Sequence, residues 1–323
     1  MGILRLGIPL QPRWPIESAA ADVVHAARRV EELGFDHVAV GNRLPDSGLG
    51  LDADPLVLLA ALAGATTRLR LLTSVLVAPF YPALVLANQA ATLDVVSSGR
   101  LILGVGTGWN PAEFSAVGAS VHSRGALTDD RLAAAEALWS RRPADYNGRF
   151  TSLYGAYLGV PPLTPGGPPV WVGGHSDAAL RRALRFGDGW YGTGVSAAEV
   201  ADVGRRLRAL AFTLDGGGDG DEDGYGDSDG DGGDDGGGGE ARVGRLTLGA
   251  AAFFTPPGIP AVFSAPGRPL GGDAPDAGSV ADELLRLGEA GLSVCTLWMP
   301  IAASHVERAA EWVAEYVVPR LGV

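Results

Sequence analysis

The chain has 323 residues, 46% of them hydrophobic, and a formal net charge of −12. That length suits one large α/β barrel or two smaller domains, with apolar residues enough for a sizeable core. A single cysteine, Cys295, excludes a disulfide framework and a paired-cysteine metal site, and no apolar run reaches membrane-spanning length.

Residues 3–8 read as a first strand, 17–33 as a helix closed by Gly34, and 35–40 as a second strand. Pro55 opens a helix over 55–63, residues 69–77 form a third strand, and 82–97 a helix with Gly99 beyond its end. The fourth strand is 100–105. A longer excursion follows, with a helix over 129–139 and an aromatic, Pro- and Gly-rich loop or hairpin over 146–169. The fifth strand is 169–172, then a helix over 177–186 with Ser176 as its N-cap. A sixth strand at 189–191 and a helix over 197–214 come next. Residues 215–240 hold 11 acids, 13 glycines and no basic residue, a composition that predicts a disordered, self-repelling linker. Strand seven is 242–251, followed by a helix over 280–290. Strand eight, 292–298, carries Cys295 as a small core residue, and 305–318 is a final helix.

Eight strands, each followed by a helix, predict a single (β/α)8 TIM barrel spanning 1–323, with an excursion after strand four and the acidic linker before strand seven. Such barrels bind at the C-terminal ends of their strands, so the linker falls at the opposite end. Outside it, 26 acids face 25 arginines, and a nearly neutral fold carries no nucleic-acid footprint. Within it, Asp227, Asp229 and Asp231 alternate before Gly232, but the twelfth position of a calcium loop would be Gly238, where a bidentate Glu is needed. No metal site is expected. The N-terminal run is broken by Pro9 too soon for a signal peptide, so a cytoplasmic location is expected.

The most informative strand end is Gly99 to Glu113, G-R-L-I-L-G-V-G-T-G-W-N-P-A-E. Its apolar run turns into Gly104, Gly106 and Gly108, which allow close approach to the backbone. A Walker loop is excluded because the chain has no lysine. A dinucleotide fingerprint fails because its third glycine would fall at Trp109 or Pro111. A ligand site and a plain strand-to-helix turn both remain open from this stretch alone.

Three runs together resemble the bacterial luciferase-like superfamily of barrel flavoproteins, nearest its branch that uses the deazaflavin coenzyme F-420. They are T-S-V-L-V-A-P-F-Y-P-A-L-V-L-A-N-Q-A-A-T-L-D from Thr73, S-G-R-L-I-L-G-V-G-T-G-W from Ser98, and P-P-V-W-V-G-G-H-S-D-A-A-L-R-R-A-L-R-F-G-D-G-W from Pro168. The resemblance implies a non-prolyl cis peptide at Ser74–Val75, in a bulge under the cofactor ring, with Thr73 beside it. It places Gly41, Asn42, Gly106, Thr107, Gly108, Trp109 and Asn110 along the ring. It places Gly173, Gly174, His175 and Ser176 at the cofactor's phosphate-bearing tail, where a helix N-terminus offers free N–H groups. It also implies a homodimer acting on a small-molecule substrate, with no membrane or nucleic-acid partner.

Two departures qualify this. Relatives that oxidise sugar phosphates keep Asp-His where this chain has Gly41 and Asn42, and a Glu where it has Trp109. Asn42 orients a substrate but exchanges no proton near neutral pH. Asn42, Trp109 and Glu113 are the catalytic candidates, although Glu113 also reads as a first-turn helix acid and Trp109 as a core residue. His175 is the histidine placed for function, whereas His25, His37 and His305 read as structural or solvent-facing. The expected activity is hydride transfer between the deazaflavin and a small organic substrate, the proton coming from solvent, Tyr191, Arg43 or the substrate. The alternatives are an FMN-dependent monooxygenase and a flavin-binding protein without turnover. Loops carrying Trp14, Asn42, Arg43 and residues 255–269 are expected to cover the substrate.

Overall fold

The computed structural model describes residues 4–10, 20–43, 53–215, 238–262 and 267–322. In chain order these form β1 (Arg5–Pro9), α1 (Ala20–Glu32), β2 (His37–Val40), α2 (Pro55–Ala65), β3 (Arg70–Thr73), β4 (Leu76–Val77), α3 (Ala83–Val96), β5 (Leu101–Gly106), α4 (Pro111–Ala116) and α5 (Arg124–Ser140). Then come β6 (Ala144–Asn147), β7 (Ser152–Ala156), β8 (Val170–Gly173), α6 (Asp177–Phe186), β9 (Gly189–Thr193), α7 (Ala197–Asp215), α8 (Gly238–Arg245), β10 (Thr247–Phe253), α9 (Ala277–Glu289), β11 (Val294–Trp298) and α10 (Val306–Trp312).

Nine of these strands form one parallel sheet in the order β3-β2-β1-β11-β10-β9-β8-β5-β4, and β3 also pairs with β5. That last pairing closes the sheet. β3 and β4 are two halves of one stave, since both pair with β5, at Leu71–Leu101 and at Leu76–Val105. The result is an eight-stave parallel barrel ringed by helices, as the sequence predicts. β6 and β7 form an antiparallel hairpin outside it, in the expected excursion.

Two apolar layers hold the barrel. The larger packs the helices onto the outer faces of the strands. The smaller fills the lumen with Ala39, Leu72, Ile102, Trp171, Tyr191, Ala251 and Val294. Trp171 and Tyr191 stack there with ring centroids 6.2 Å apart. A parallel barrel buries both faces of each strand, which is why β5 reads LILGVG with every residue buried.

One predicted element is corrected. Residues 242–245, expected to begin strand seven, belong to helix α8, and the strand starts at Thr247. Val243 and Leu246 pack on the core together, an i, i+3 spacing that a helical turn satisfies. Arg242 and Arg245 lie in the last turn, where cations favour the helix carbonyl end. The edges of the expected linker, Asp215 and residues 238–240, are likewise helical. Residues 216–237, the calcium-like aspartates among them, and Trp14 lie outside the described residues. No described helix is long and apolar enough to cross a membrane.

Candidate functional site

The strand ends converge at the break in the third stave. Ser74–Val75 is a cis peptide, at the bond singled out by the resemblance. Thr73 is fully buried and donates through Oγ1 to the Gly104 carbonyl at 2.7 Å. Its side chain therefore ties β3 to β5 and is not free for a ligand. On the other side of the break, Val75 lies against glycines of two staves. A Cβ at Gly106 would stand 2.7 Å from Val75 Cγ2, and one at Gly173 would stand 3.2 Å from Val75 Cγ1. The bulge thus puts a half-buried apolar platform between β5 and β8 that side chains at either glycine would displace.

Asn42, 8% exposed, accepts at Oδ1 from the Val77 N–H at 3.0 Å and so anchors β4 to the end of β2. Gly41 beside it is buried. The nearby Tyr81 hydroxyl reaches Asp54 at 3.3 Å. Burial and the Asp54 carboxylate raise its pKa well above the usual phenol range.

Beyond β5, Gly108 has φ of +72°, and a Cβ there would press on Val77 and Phe114. Thr107 is half-buried. Asn110 caps α4, its Oδ1 accepting from the Ala112 N–H at 3.0 Å. Glu113 is buried in the first turn of that helix. Trp109 is 72% exposed, with the Arg43 guanidinium 6.0 Å from its ring centroid. The reading of Trp109 as a core residue is therefore wrong: the turn at Gly108 carries it outward, toward Arg43 from the β2 end.

On the β8–α6 turn, Ser176 Oγ accepts from the Ala179 N–H at 3.2 Å as the expected N-cap. His175 is exposed, packs edge-on to Trp190 at 5.7 Å, and takes the Thr193 N–H on Nε2 at 3.4 Å. Gly174 has φ of +123° and its carbonyl accepts from Trp190 Nε1 at 2.7 Å. Arg206 donates to the His175 carbonyl at 2.9 Å and also pairs with Asp177. A guanidinium therefore reinforces the positive helix end here, and Asp177 partly offsets it. Past β10, a cleft of about 870 Å³ is lined by Thr255, Ile259, Val262, Pro269 and Pro300, within the loop expected to cover a substrate.

Sequence reasoning treated His37 only as structural or solvent-facing. It is fully buried in the barrel wall, with Nδ1 3.1 Å from Asp36 Oδ2 and Nε2 2.8 Å from Thr296 Oγ1. Tyr191 donates to the same Thr296 oxygen at 2.7 Å, and Ser74 donates to the Tyr191 hydroxyl at 3.2 Å. Burial pushes the Tyr191 phenol up to about 12, although its bonds with Ser74 and Thr296 oppose this. Burial also raises Asp36, but the hydrogen bond from His37 and the charges of Arg5 and Arg70 help to outweigh it, and the carboxyl is held below its usual range. Gly7 was the available signal: a Cβ there would overlap the His37 ring. Among the described residues, no His, Cys, Asp and Glu group is arranged to hold a metal.

A closed parallel barrel of eight staves with surrounding helices defines a TIM-barrel protein, here with glycines at its strand ends around the Val75 platform. More narrowly, the chain belongs to the luciferase-like monooxygenase family, whose pattern it matches over residues 8–214. An uncharacterized protein of Mycobacterium tuberculosis is 33% identical over 150 residues, 46% of this chain and 53% of that one. An FMNH2-dependent dimethylsulfone monooxygenase of Pseudomonas putida is 30% identical over 194 residues, 57% of this chain and 52% of that one. The chain thus spans about half the length of the curated relatives it matches. Among solved structures, an F420-dependent secondary alcohol dehydrogenase superposes with a TM-score of 0.73 at 17% identity, covering 99% of both chains. Monooxygenase RslO1 of Streptomyces bottropensis also gives 0.73, at 19% identity, covering 98% of this chain and 99% of that one. At these identities the superpositions establish the fold. Proteins of this family are oxidoreductases and monooxygenases, and its fold hosts both F420-dependent and FMN-dependent members.

Proposed function

We propose that the protein is an oxidoreductase that binds the deazaflavin coenzyme F-420 at these strand ends and exchanges a hydride with a small organic substrate. The observation that carries this reading is the Val75 platform, flanked by Gly106 and Gly173, which fits one face of a flat tricyclic ring. Val75, Gly106, Thr107, Gly108 and Trp109 would hold the ring, with Asn42 fixing the stave beneath it. Gly173, Gly174, His175 and Ser176, backed by Arg206, would hold the anionic tail. The cofactor supplies hydride chemistry when bound; the protein supplies orientation and a pocket that excludes water. The exposed Trp109–Arg43 pair would orient substrate over the ring. Glu113 remains a catalytic candidate, buried in the first turn of α4.

The choice of deazaflavin rests on the resemblance of the runs starting at Thr73, Ser98 and Pro168. A second reading, an FMN-dependent monooxygenase, is favoured by the similarity to the dimethylsulfone monooxygenase. Supplying reduced deazaflavin anaerobically with enones, imines and ketones separates the two. Substrate-dependent cofactor oxidation without oxygen supports hydride transfer, whereas turnover only with reduced FMN and oxygen supports the monooxygenase. Binding without turnover under either condition supports a carrier role.

The working form in this reading is a homodimer. The adjacent helices α2 and α3 expose Val57, Leu84, Val85, Val95 and Val96, and the one ionisable residue of α3, Asp94, is buried. α2, whose exposed positions include Val57, Ala60 and Ala61, is apolar on its outer face as well as its inner one and calls for a covering surface, which a second copy would supply symmetrically.

A further inference from the structure

We propose that Ser74, Tyr191, Thr296, His37 and Asp36 form a proton-conducting chain through the barrel, carrying a proton from the strand-end site to the opposite face. The proposal rests on the reading of the strand ends as a reaction site. The chain begins at the bulge itself, in Ser74, and runs through β9, β11 and β2. It ends at Asp36, whose side chain is 18% exposed, before the first residue of β2. No link exceeds 3.2 Å, and Tyr191, Thr296 and His37 are buried.

Stability alone gives no reason for these groups. The lumen around them is lined by Ala39, Leu72, Ile102, Trp171 and Val294. Replacing paired buried polar groups by apolar ones of the same shape is close to neutral or stabilising. β1 also gives up a side chain at Gly7 so that the His37 ring can reach Thr296.

Donor accounting gives the chain a direction. Asp36 is an acceptor, so His37 Nδ1 carries the proton facing it and Nε2 accepts from Thr296. Thr296 then accepts from Tyr191, and Tyr191 from Ser74. Every proton points away from the site, leaving Ser74 Oγ with lone pairs to accept one. When a proton bonds to Ser74 Oγ, the Ser74 proton passes to Tyr191, that of Tyr191 to Thr296, and that of Thr296 to His37 Nε2. The His37 Nδ1 proton passes to Asp36 and then to water. Each hydroxyl finishes with one proton, one proton leaves the site, and nothing is oxidised or reduced. The charged neighbours at the Asp36 end are Arg5 from β1 and Arg70 from β3, which disfavour retention of the proton there. Burial holds the Tyr191 phenol up at about 12, so it relays a proton without resting as a phenolate.

The test is NMR of the full chain labelled with 15N-histidine, without cofactor. Tyr191→Phe and Ser74→Ala each break the chain at a point that does not touch the imidazole. Each is expected to shift the His37 Nε2 resonance and to change the ratio of its two neutral tautomers by about threefold to tenfold, the scale of one net hydrogen bond. The His25 and His122 resonances serve as unaffected controls. A His37 tautomer ratio unchanged in Tyr191→Phe overturns the proposal. Should that variant unfold, Thr296→Ser and Thr296→Val decide instead. Serine must retain the wild-type ratio and valine must lose it; equal behaviour of the two overturns the chain. Adding FMN or the deazaflavin to the wild-type sample tests the cofactor reading separately. Failure of both to bind removes that reading, while the first measurement still decides the chain.

Discussion

Replacing Gly106 by alanine puts a methyl group 2.7 Å from Val75 Cγ2, well inside van der Waals contact. Both groups sit where the third stave breaks, so the bulge has to move. Overpacking of this kind costs about 1–3 kcal/mol. The glycine's lost unfolded-state entropy returns roughly 0.5–1 kcal/mol, so a net loss of about 0–2.5 kcal/mol is expected. Val75→Ala alone removes two methyl groups from a half-buried position and should cost about 0.8 kcal/mol. Combined, the alanine at 106 fills space vacated by Val75, and the double variant should be about 1–2 kcal/mol more stable than additivity allows. Urea denaturation of the four proteins measures the coupling, with unchanged m-values confirming that the unfolded state is comparable. Fluorescence titration with each flavin reports the platform: Gly106→Ala should weaken binding more than tenfold, with partial recovery in the double variant. Additive stabilities within about 0.5 kcal/mol, or undiminished cofactor affinity in Gly106→Ala, would refute the glycine-platform argument.

Asn42→Ala leaves the buried Val77 N–H without its acceptor and should cost about 1–3 kcal/mol in a denaturant melt, whereas Asn42→Asp keeps an acceptor and should cost less. Deleting residues 216–237 should leave cofactor affinity within about twofold, because in a barrel of this kind the connection from a helix to the next strand lies away from the strand C-termini; a large loss would bring that segment into the site. Val85→Glu with Val96→Glu should convert a dimer to a monomer by light scattering, and a wild type that is already monomeric would remove the covering role assigned to α2 and α3. Asp36, whose carboxyl is held below its usual value near 4, contributes stability that is complete above that value and is lost as pH falls through the lower folded one. In Asp36→Asn, acid melts should show a smaller decline over that range; an identical decline would assign the acid loss to other carboxylates.

The barrel was legible because parallel strands buried on both faces read as continuous apolar runs, and helices between them carry proline starts and glycine stops. Residues 177–186 illustrate this, bounded by the Ser176 cap and Gly187. The strand ends were legible as glycines, but what those glycines accommodate was not. Nothing local indicates that Gly106 and Gly173, on different staves, both face Val75. Residues 242–245 misled because a helix of eight residues shows too few turns for its period to be told from the start of a strand. Trp109 misled because exposure depends on the turn at Gly108, which sequence alone does not orient. The structural reading of His37 holds, but its partners beyond Asp36 were not legible, because Thr296 of β11 and, through it, Tyr191 of β9 lie far along the chain.

The central claim is that the platform at Val75 receives a flavin-type ring, with the deazaflavin preferred. Equilibrium titration of the purified chain with oxidised coenzyme F-420 and, separately, with FMN tests it most directly, followed by cofactor absorbance and by quenching of tryptophan fluorescence. The account predicts saturable binding of one cofactor per chain, tighter for the deazaflavin and weakened in Gly106→Ala. Absence of saturable binding of both would contradict it.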